Sequence, residues 1–134
     1  MSSSEYLSFS EFVLYKSPND NYSINSAETI EVFYNLRTDL DKLSYATEIS
    51  KMVYDVTEEN IPAYDILSLF LNTLYVISES DKSLDLIYSV FQIRLLAILG
   101  FLPQVATCIN CGEPMVESME DFYFSIKDIS ICIK

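Results

Sequence analysis

Leu36-Arg37-Thr38-Asp39-Leu40-Asp41-Lys42-Leu43-Ser44-Tyr45-Ala46 is the stretch at which the chain changes its periodicity. Before it, apolar residues come in strand-like runs. From Leu36 onward, Leu36, Leu40, Leu43, Ala46, Ile49, Val53 and Val56 recur at spacings of three and four, which predicts an amphipathic helix. Glu58-Glu59-Asn60-Ile61-Pro62 interrupts the pattern. Asn60 with Pro62 near the first turn is read as the start of a second helix, roughly residues 62–78. Ile66, Leu67, Leu69, Phe70, Leu71, Leu74, Tyr75 and Ile77 make that helix apolar over much of its circumference, so it is expected at the centre of a bundle. A third helix, about 84–99, carries Ile87, Val90, Phe91, Leu95 and Ile98 inward and stops at Gly100. Short links between these segments imply antiparallel neighbours.

Upstream the reading is β. Residues 9–16 and 22–25 are rich in aromatic and β-branched side chains, and Ser17-Pro18-Asn19-Asp20-Asn21 between them is a concentrated turn signal. The segment 28–33 reads as a further strand or as a helix start. A lone hairpin is marginal in water, so these strands are expected to belong to a larger sheet whose earlier strands are missing. Downstream of Pro103, Asp121 to Ile126 reads as a short aromatic strand and Ile129 to Cys132 as its return.

The chain has 134 residues, half of them hydrophobic, enough for one compact core. Eight Lys and Arg stand against twenty Asp and Glu, a formal charge of −12. That balance repels polyphosphate, and the cations are scattered rather than gathered into a stripe, so the composition argues against strong nucleic-acid binding. Histidine is absent, which removes the commonest general base and every Ser-His or Cys-His pair. With only Gly100 and Gly112 in the chain, no phosphate-cradling glycine loop can form. No pair of carboxylates stands out as an acid/base couple. Three cysteines fit a secreted disulfide framework poorly, no signal peptide opens the chain, and the apolar runs are too short to span a membrane; the compartment reads as reducing cytosol.

Cys108-Ile109-Asn110-Cys111-Gly112 carries the one constellation with metal-ligand spacing. Two thiolates separated by two residues can reach one ion, and a following glycine suits the sharp turn. The same pair is also compatible with a redox couple, although such couples usually open a helix beside a βαβ unit, whereas this one follows a helix and precedes a strand. Cys132 is a third candidate ligand, weaker because a ribbon needs a second Cys-x-x-Cys and the chain stops before that pair is complete. Glu113, Glu117, Glu120 and Asp121 lack calcium-loop spacing and read as a solvated surface.

Among other residues of interest, Phe9, Phe12, Tyr15 and Tyr22 could display rings to bases, but strand aromatics are more often core. Tyr45, Phe70, Tyr75 and Phe91 read as core of the helical part. Arg94, between Ile93 and Leu95, is either paired and buried or on an exposed face, with a DNA or partner contact as the functional reading. Arg37 and Lys42 are expected to form local ion pairs at a helix start.

In this order, four islands resemble the RecO family of bacterial recombination mediators. They are Phe12-Val13-Leu14-Tyr15-Lys16 with Tyr22-Ser23-Ile24-Asn25-Ser26-Ala27-Glu28; 33–46, from Phe33 to Ala46; Leu69-Phe70-Leu71-Asn72-Thr73-Leu74; and Phe91 to Leu96 through Gly100-Phe101-Leu102-Pro103 to Cys108-Ile109-Asn110-Cys111-Gly112. The resemblance implies a mainly α chain: a remnant of an N-terminal OB-fold barrel over 1–34, a helical bundle domain over 35–104, and a partial zinc ribbon over 105–134. It further implies an internal fragment, lacking the start of the barrel and the C-terminal end.

What the resemblance implies for function is non-enzymatic DNA repair and homologous recombination in the RecF pathway, in the bacterial cytoplasm at the nucleoid. The intact protein would bind single- and double-stranded DNA, anneal complementary strands, and load the recombinase with RecR and single-stranded-DNA-binding protein. DNA binding by this chain is expected to be weak or absent. A structural zinc would be held by Cys108, Cys111 and Cys132. The competing readings are a small helical zinc-ribbon adaptor unrelated to recombination and a thiol oxidoreductase using Cys108 and Cys111.

Overall fold

The computed structural model describes residues 5–19, 21–108, 112, 114, 122–125 and 130–133. The elements run β1 (Ser8–Lys16), β2 (Tyr22–Val32), α1 (Asn35–Thr38), α2 (Leu40–Val56), α3 (Tyr64–Glu79), α4 (Leu84–Ile98), β3 (Phe122–Ser125) and β4 (Ser130–Ile133). Helix outweighs strand, as the mainly α expectation has it. Two compact units share the chain, Met1–Phe91 and Gln92–Lys134.

In the first unit, β1 and β2 pair antiparallel from Ser8↔Val32 to Lys16↔Tyr22. The Ser17 N–H donates to the Asn21 carbonyl at 2.8 Å and closes the turn. The segment that read as strand or helix start is strand, continuous with the one before it. Its pattern was blurred because the register slips twice: Val13 and Leu14 face Ser26 and Ile24, skipping Asn25, and Phe9 and Ser10 face Glu31 and Thr29, skipping Ile30. Each slip is a bulge that breaks the period of two.

The core expectation for the hairpin aromatics is corrected. Phe12, Tyr15 and Tyr22 are 43%, 60% and 62% exposed, because a two-stranded sheet offers them no covering layer; Phe9 is half-buried.

The expected first helix is split in two. Asp39 is extended (φ −127°, ψ 120°), and its carboxylate accepts from the backbone N–H groups of Asp41 and Lys42 at 2.9 and 3.1 Å. That is the N-cap arrangement, which satisfies two donors left over at a helix start. The split rotates Leu40 out of the stripe, to 80% exposure, while Leu36, Ala46 and Ile49 are fully buried.

The start of α3 also differs from expectation. Asn60 occupies the left-handed region (φ +64°), a conformation asparagine tolerates, and the helix begins at Tyr64, two residues beyond Pro62. α3 buries one face (Ile66, Thr73, Leu74, Ile77 and Ser78) and leaves Leu67, Tyr75 and Val76 exposed. It is therefore not enclosed on several sides, and Tyr75 is not core. Phe91 is core, and Tyr45 and Phe70 are half-buried. The unit's centre is built from Phe33, Leu36, Ala46, Ile49, Leu74, Ile77, Ile87 and Phe91. α1, α2 and α3 pack against one another. On α4, Val90 and Ile98 were expected inward and are about two-fifths exposed, at 42% and 41%.

α4 ends as expected. Gly100 has φ +83°, its N–H donates to the Ala97 carbonyl at 3.1 Å, and the Phe101 N–H reaches back to the Leu96 carbonyl at 2.8 Å. This is the Schellman arrangement, which only a residue free to take positive φ closes without strain. Beyond it, in the second unit, β3 and β4 pair antiparallel from Phe122↔Ile133 to Ser125↔Ser130. The expected strand and its return are both present. Among the described residues, no helix is long and apolar enough to cross a membrane.

Candidate functional site

The cysteine segment lies in the second unit, between α4 and the β3–β4 hairpin. Thr107 and Pro114 form an antiparallel bridge, so the chain leaves and returns at one place. Inside that closure the Gly112 N–H donates to the Cys108 carbonyl at 2.9 Å, and Gly112 takes φ +75°. A β-carbon at Gly112 would meet nothing within 4 Å, so the glycine is there for its backbone conformation and not for space. The bridge and the Gly112–Cys108 bond bring the two ends of the cysteine segment together, a closure compatible with a metal-binding turn.

Cys108 is buried, at 2% exposure. Cys111 lies outside the described residues, as do Glu113, Glu117, Glu120 and Asp121. Cys132 is placed by its backbone in β4, opposite Tyr123 of β3. Among the described residues no group of three or more Cys, Asp or Glu is placed to hold a metal ion; what is described at Cys108 is a buried thiol, the bond from Gly112 and the Thr107–Pro114 bridge.

In the first unit the polar residues singled out from sequence find partners far along the chain. Arg37 pairs with the Glu5 carboxylate and donates to the Tyr6 carbonyl at 2.8 Å. Lys42 donates to the Ser78 carbonyl at 3.0 Å. The expectation of local pairs is thereby corrected: each side chain is long enough to reach a partner more than thirty residues away in sequence. Arg94, in the second unit, is on an exposed face of α4.

Two surface depressions follow from this packing. A polar cleft of ≈ 380 Å³ lies where α1 and α2 meet the end of α3, lined by Asn35, Asp39, Lys42, Ser78, Glu79 and Asp81 among others. The Asn35 side chain donates to the Glu79 carboxylate at 3.0 Å, and the Ser78 hydroxyl donates to the same oxygen at 2.8 Å. An apolar groove of ≈ 500 Å³ lies between the end of α2 and the start of α3, lined by Val53, Ile61, Pro62, Tyr64, Ile66 and Leu67 with Thr57, Asn60 and Ala63. Neither depression was apparent from sequence. Its only trace is the run of apolar residues continuing through the helix break at Ile61-Pro62-Ala63.

Tyr45 links α2 to the first turn of α4. Its hydroxyl donates to the Asp85 carboxylate, and its ring meets Tyr88 edge-on at 5.6 Å. That hydrogen bond holds the Tyr45 phenol above its ordinary value of 10.0, with burial and the nearby Asp85 and Asp41 charges acting in the same direction.

Comparison with known proteins assigns the lineage. Residues 37–132 match the family described as Recombination protein O C terminal. The DNA repair protein RecO of Acetivibrio thermocellus is 47% identical over 121 residues, covering 90% of this chain and 47% of that protein. The DNA repair protein RecO of Alkaliphilus metalliredigens is 34% identical over 121 residues, 90% of this chain and 48% of that protein. That of Caldicellulosiruptor saccharolyticus is 30% identical over 128 residues, 96% of this chain and 50% of that protein. The chain spans about half the length of the curated relatives it matches. The matched span begins just before α2 and takes in α3, α4 and the cysteine segment, and on that ground the chain belongs to the RecO family.

Proposed function

We propose that this chain acts in DNA repair and homologous recombination as the protein-docking part of a non-enzymatic mediator. The observation that carries the reading is the family match over 37–132, the span that holds α2, α3, α4 and the cysteine segment. In this account the hairpin β1–β2 is the last part of an OB-fold barrel, which explains why its aromatics stand uncovered on a two-stranded sheet. The helices over 35–104 form the docking domain, and 105–134 form a zinc-stabilised element. The partners are RecR and single-stranded-DNA-binding protein, at the nucleoid in the bacterial cytoplasm.

Cys108, Cys111 and Cys132 would hold the zinc. When bound, the ion supplies a cross-link between loop and hairpin and no chemistry on a substrate. The absence of histidine and of any phosphate-binding glycine loop in the sequence supports a scaffolding role rather than catalysis.

With a net charge of −12, this polypeptide contributes little phosphate neutralisation of its own. A gel-shift titration at physiological salt tests this: weak or no retention of single-stranded DNA is expected. Tight, salt-sensitive retention by the chain alone would overturn the division of labour proposed.

A further inference from the structure

We propose that the groove between the end of α2 and the start of α3 docks a cationic amphipathic helix of another protein. It would take the apolar side chains into the groove and the Lys or Arg side chains onto its rim. This inference stands on the groove itself and is independent of the recombination reading.

Val53, Ile61, Pro62, Ile66 and Leu67 make the groove's floor mostly apolar, and the opening is large enough for bulky side chains, at ≈ 500 Å³. Ile61 is 59% exposed, Tyr64 80% and Leu67 43%. Three large apolar groups this open along one concave strip mark an interaction surface.

Charge selects the occupant. Glu58 and Glu59 stand on the loop between the lining residues Thr57 and Asn60, both exposed. Among the described residues, no cation pairs with either. The C-terminal end of α2 opens on the same place, and its last turn carries no basic residue to offset the negative end of the helix dipole. The positive end of α3 also borders the groove, but Asp65 in its first turn counters it. From Met52 to Asp81 the sequence contains no Lys or Arg at all. An anionic segment would meet net repulsion here. A cationic one finds two carboxylates, a helix C-terminus and the open face of Tyr64, a ring that can accept a cation.

The probe is a synthetic helix-forming peptide with leucines on one face and lysines on the other, beside a control with glutamates in place of the lysines. Fluorescence anisotropy with the full chain at physiological salt should show saturable binding of the lysine peptide and none of the control. Glu58→Gln with Glu59→Gln should weaken it about fivefold, in the range of two partly screened charge contacts. Leu67→Asp, at an exposed position, should weaken it about tenfold or more while leaving the helical circular dichroism unchanged. The matched pair Glu28→Gln with Glu31→Gln in β2, neither of which lines the groove, should leave the affinity within about twofold.

Equal losses from the two glutamate pairs would reduce the binding to general charge attraction and overturn the proposal. So would a Leu67→Asp variant that binds normally, or a glutamate peptide that binds as well. A concentration-dependent dimer abolished by Leu67→Asp would assign the groove to a second copy of the chain, against the proposal.

Discussion

Lys42 Nζ donates to the Ser78 carbonyl oxygen at 3.0 Å, fastening the first turn of α2 to the last turn of α3. Ser78 is among the final residues of its helix, where carbonyls lack intrahelical donors and the dipole favours a cation. Ser78 is nearly fully buried, so few waters can replace the ammonium. The same bond sets one wall of the cleft that holds Asp39, Glu79 and Asp81.

Removing that ammonium while keeping the stem isolates the contact. Lys42→Met is expected to lower stability by about 1 kcal/mol, the scale of a charge-assisted bond to a helix terminus at a partly exposed site. Urea unfolding followed by circular dichroism reads it as a lower midpoint with an unchanged slope. An unaltered midpoint would mean that water satisfies the carbonyl equally well.

Tyr45 supplies a pH signature. Because its phenol is held above 10.0 in the folded state, chiefly by the bond to Asp85, the stabilisation is fully present below pH 10.0. It is lost as the pH rises through the raised folded value. In an absorbance titration of the phenolates, Tyr45→Phe should remove a late-ionising component, and Asp85→Asn should move that component back toward 10.0. A wild-type curve that either variant leaves unchanged in shape would count against the Tyr45–Asp85 bond in solution.

Leucines from two of the sequence stripes divide sharply by environment. Leu74 is 1% exposed, and Leu74→Ala should cost about 2–5 kcal/mol by loss of transfer energy and opening of a cavity. Leu40 is 80% exposed, and Leu40→Ala should change stability by no more than about 0.5 kcal/mol. Thermal melts of the two variants side by side decide the matter; similar losses would contradict the placement of Leu40 outside the core.

For the cysteine segment, the purified chain is expected to carry about one zinc, the occupancy of a single structural site. Cys108→Ser should lower that content and bring on proteolysis near 105–114, while leaving α2 and α3 protected in hydrogen exchange. Insulin reduction by metal-free chain would instead favour the thiol oxidoreductase reading.

Much of this fold was legible because its signals are local. The Ser17-Pro18-Asn19 turn, the 3.6 period over α2 to α4 and the stop at Gly100 each depend on residues close together in sequence. Asp39 offered a local signal too, an Asp immediately before a periodic run, but the stripe continuing through Leu36 and Leu40 masked the break. What sequence could not supply was tertiary. Nothing near Arg37 or Lys42 indicates Glu5 or Ser78, more than thirty residues away in each case. Tyr75 matches the helical stripe, but its exposure depends on which faces α1 and α2 cover. At the cysteines, spacing and Gly112 were readable, and the structure adds the bridge that closes the loop.

The measurement that bears most directly on the account is sedimentation velocity of the full chain mixed with RecR from the same organism, beside the same chain mixed with single-stranded DNA. A faster boundary containing both the chain and RecR, with no shift on adding DNA, is the predicted result. Co-sedimentation with DNA and none with RecR would contradict a protein-docking role for this part of the family.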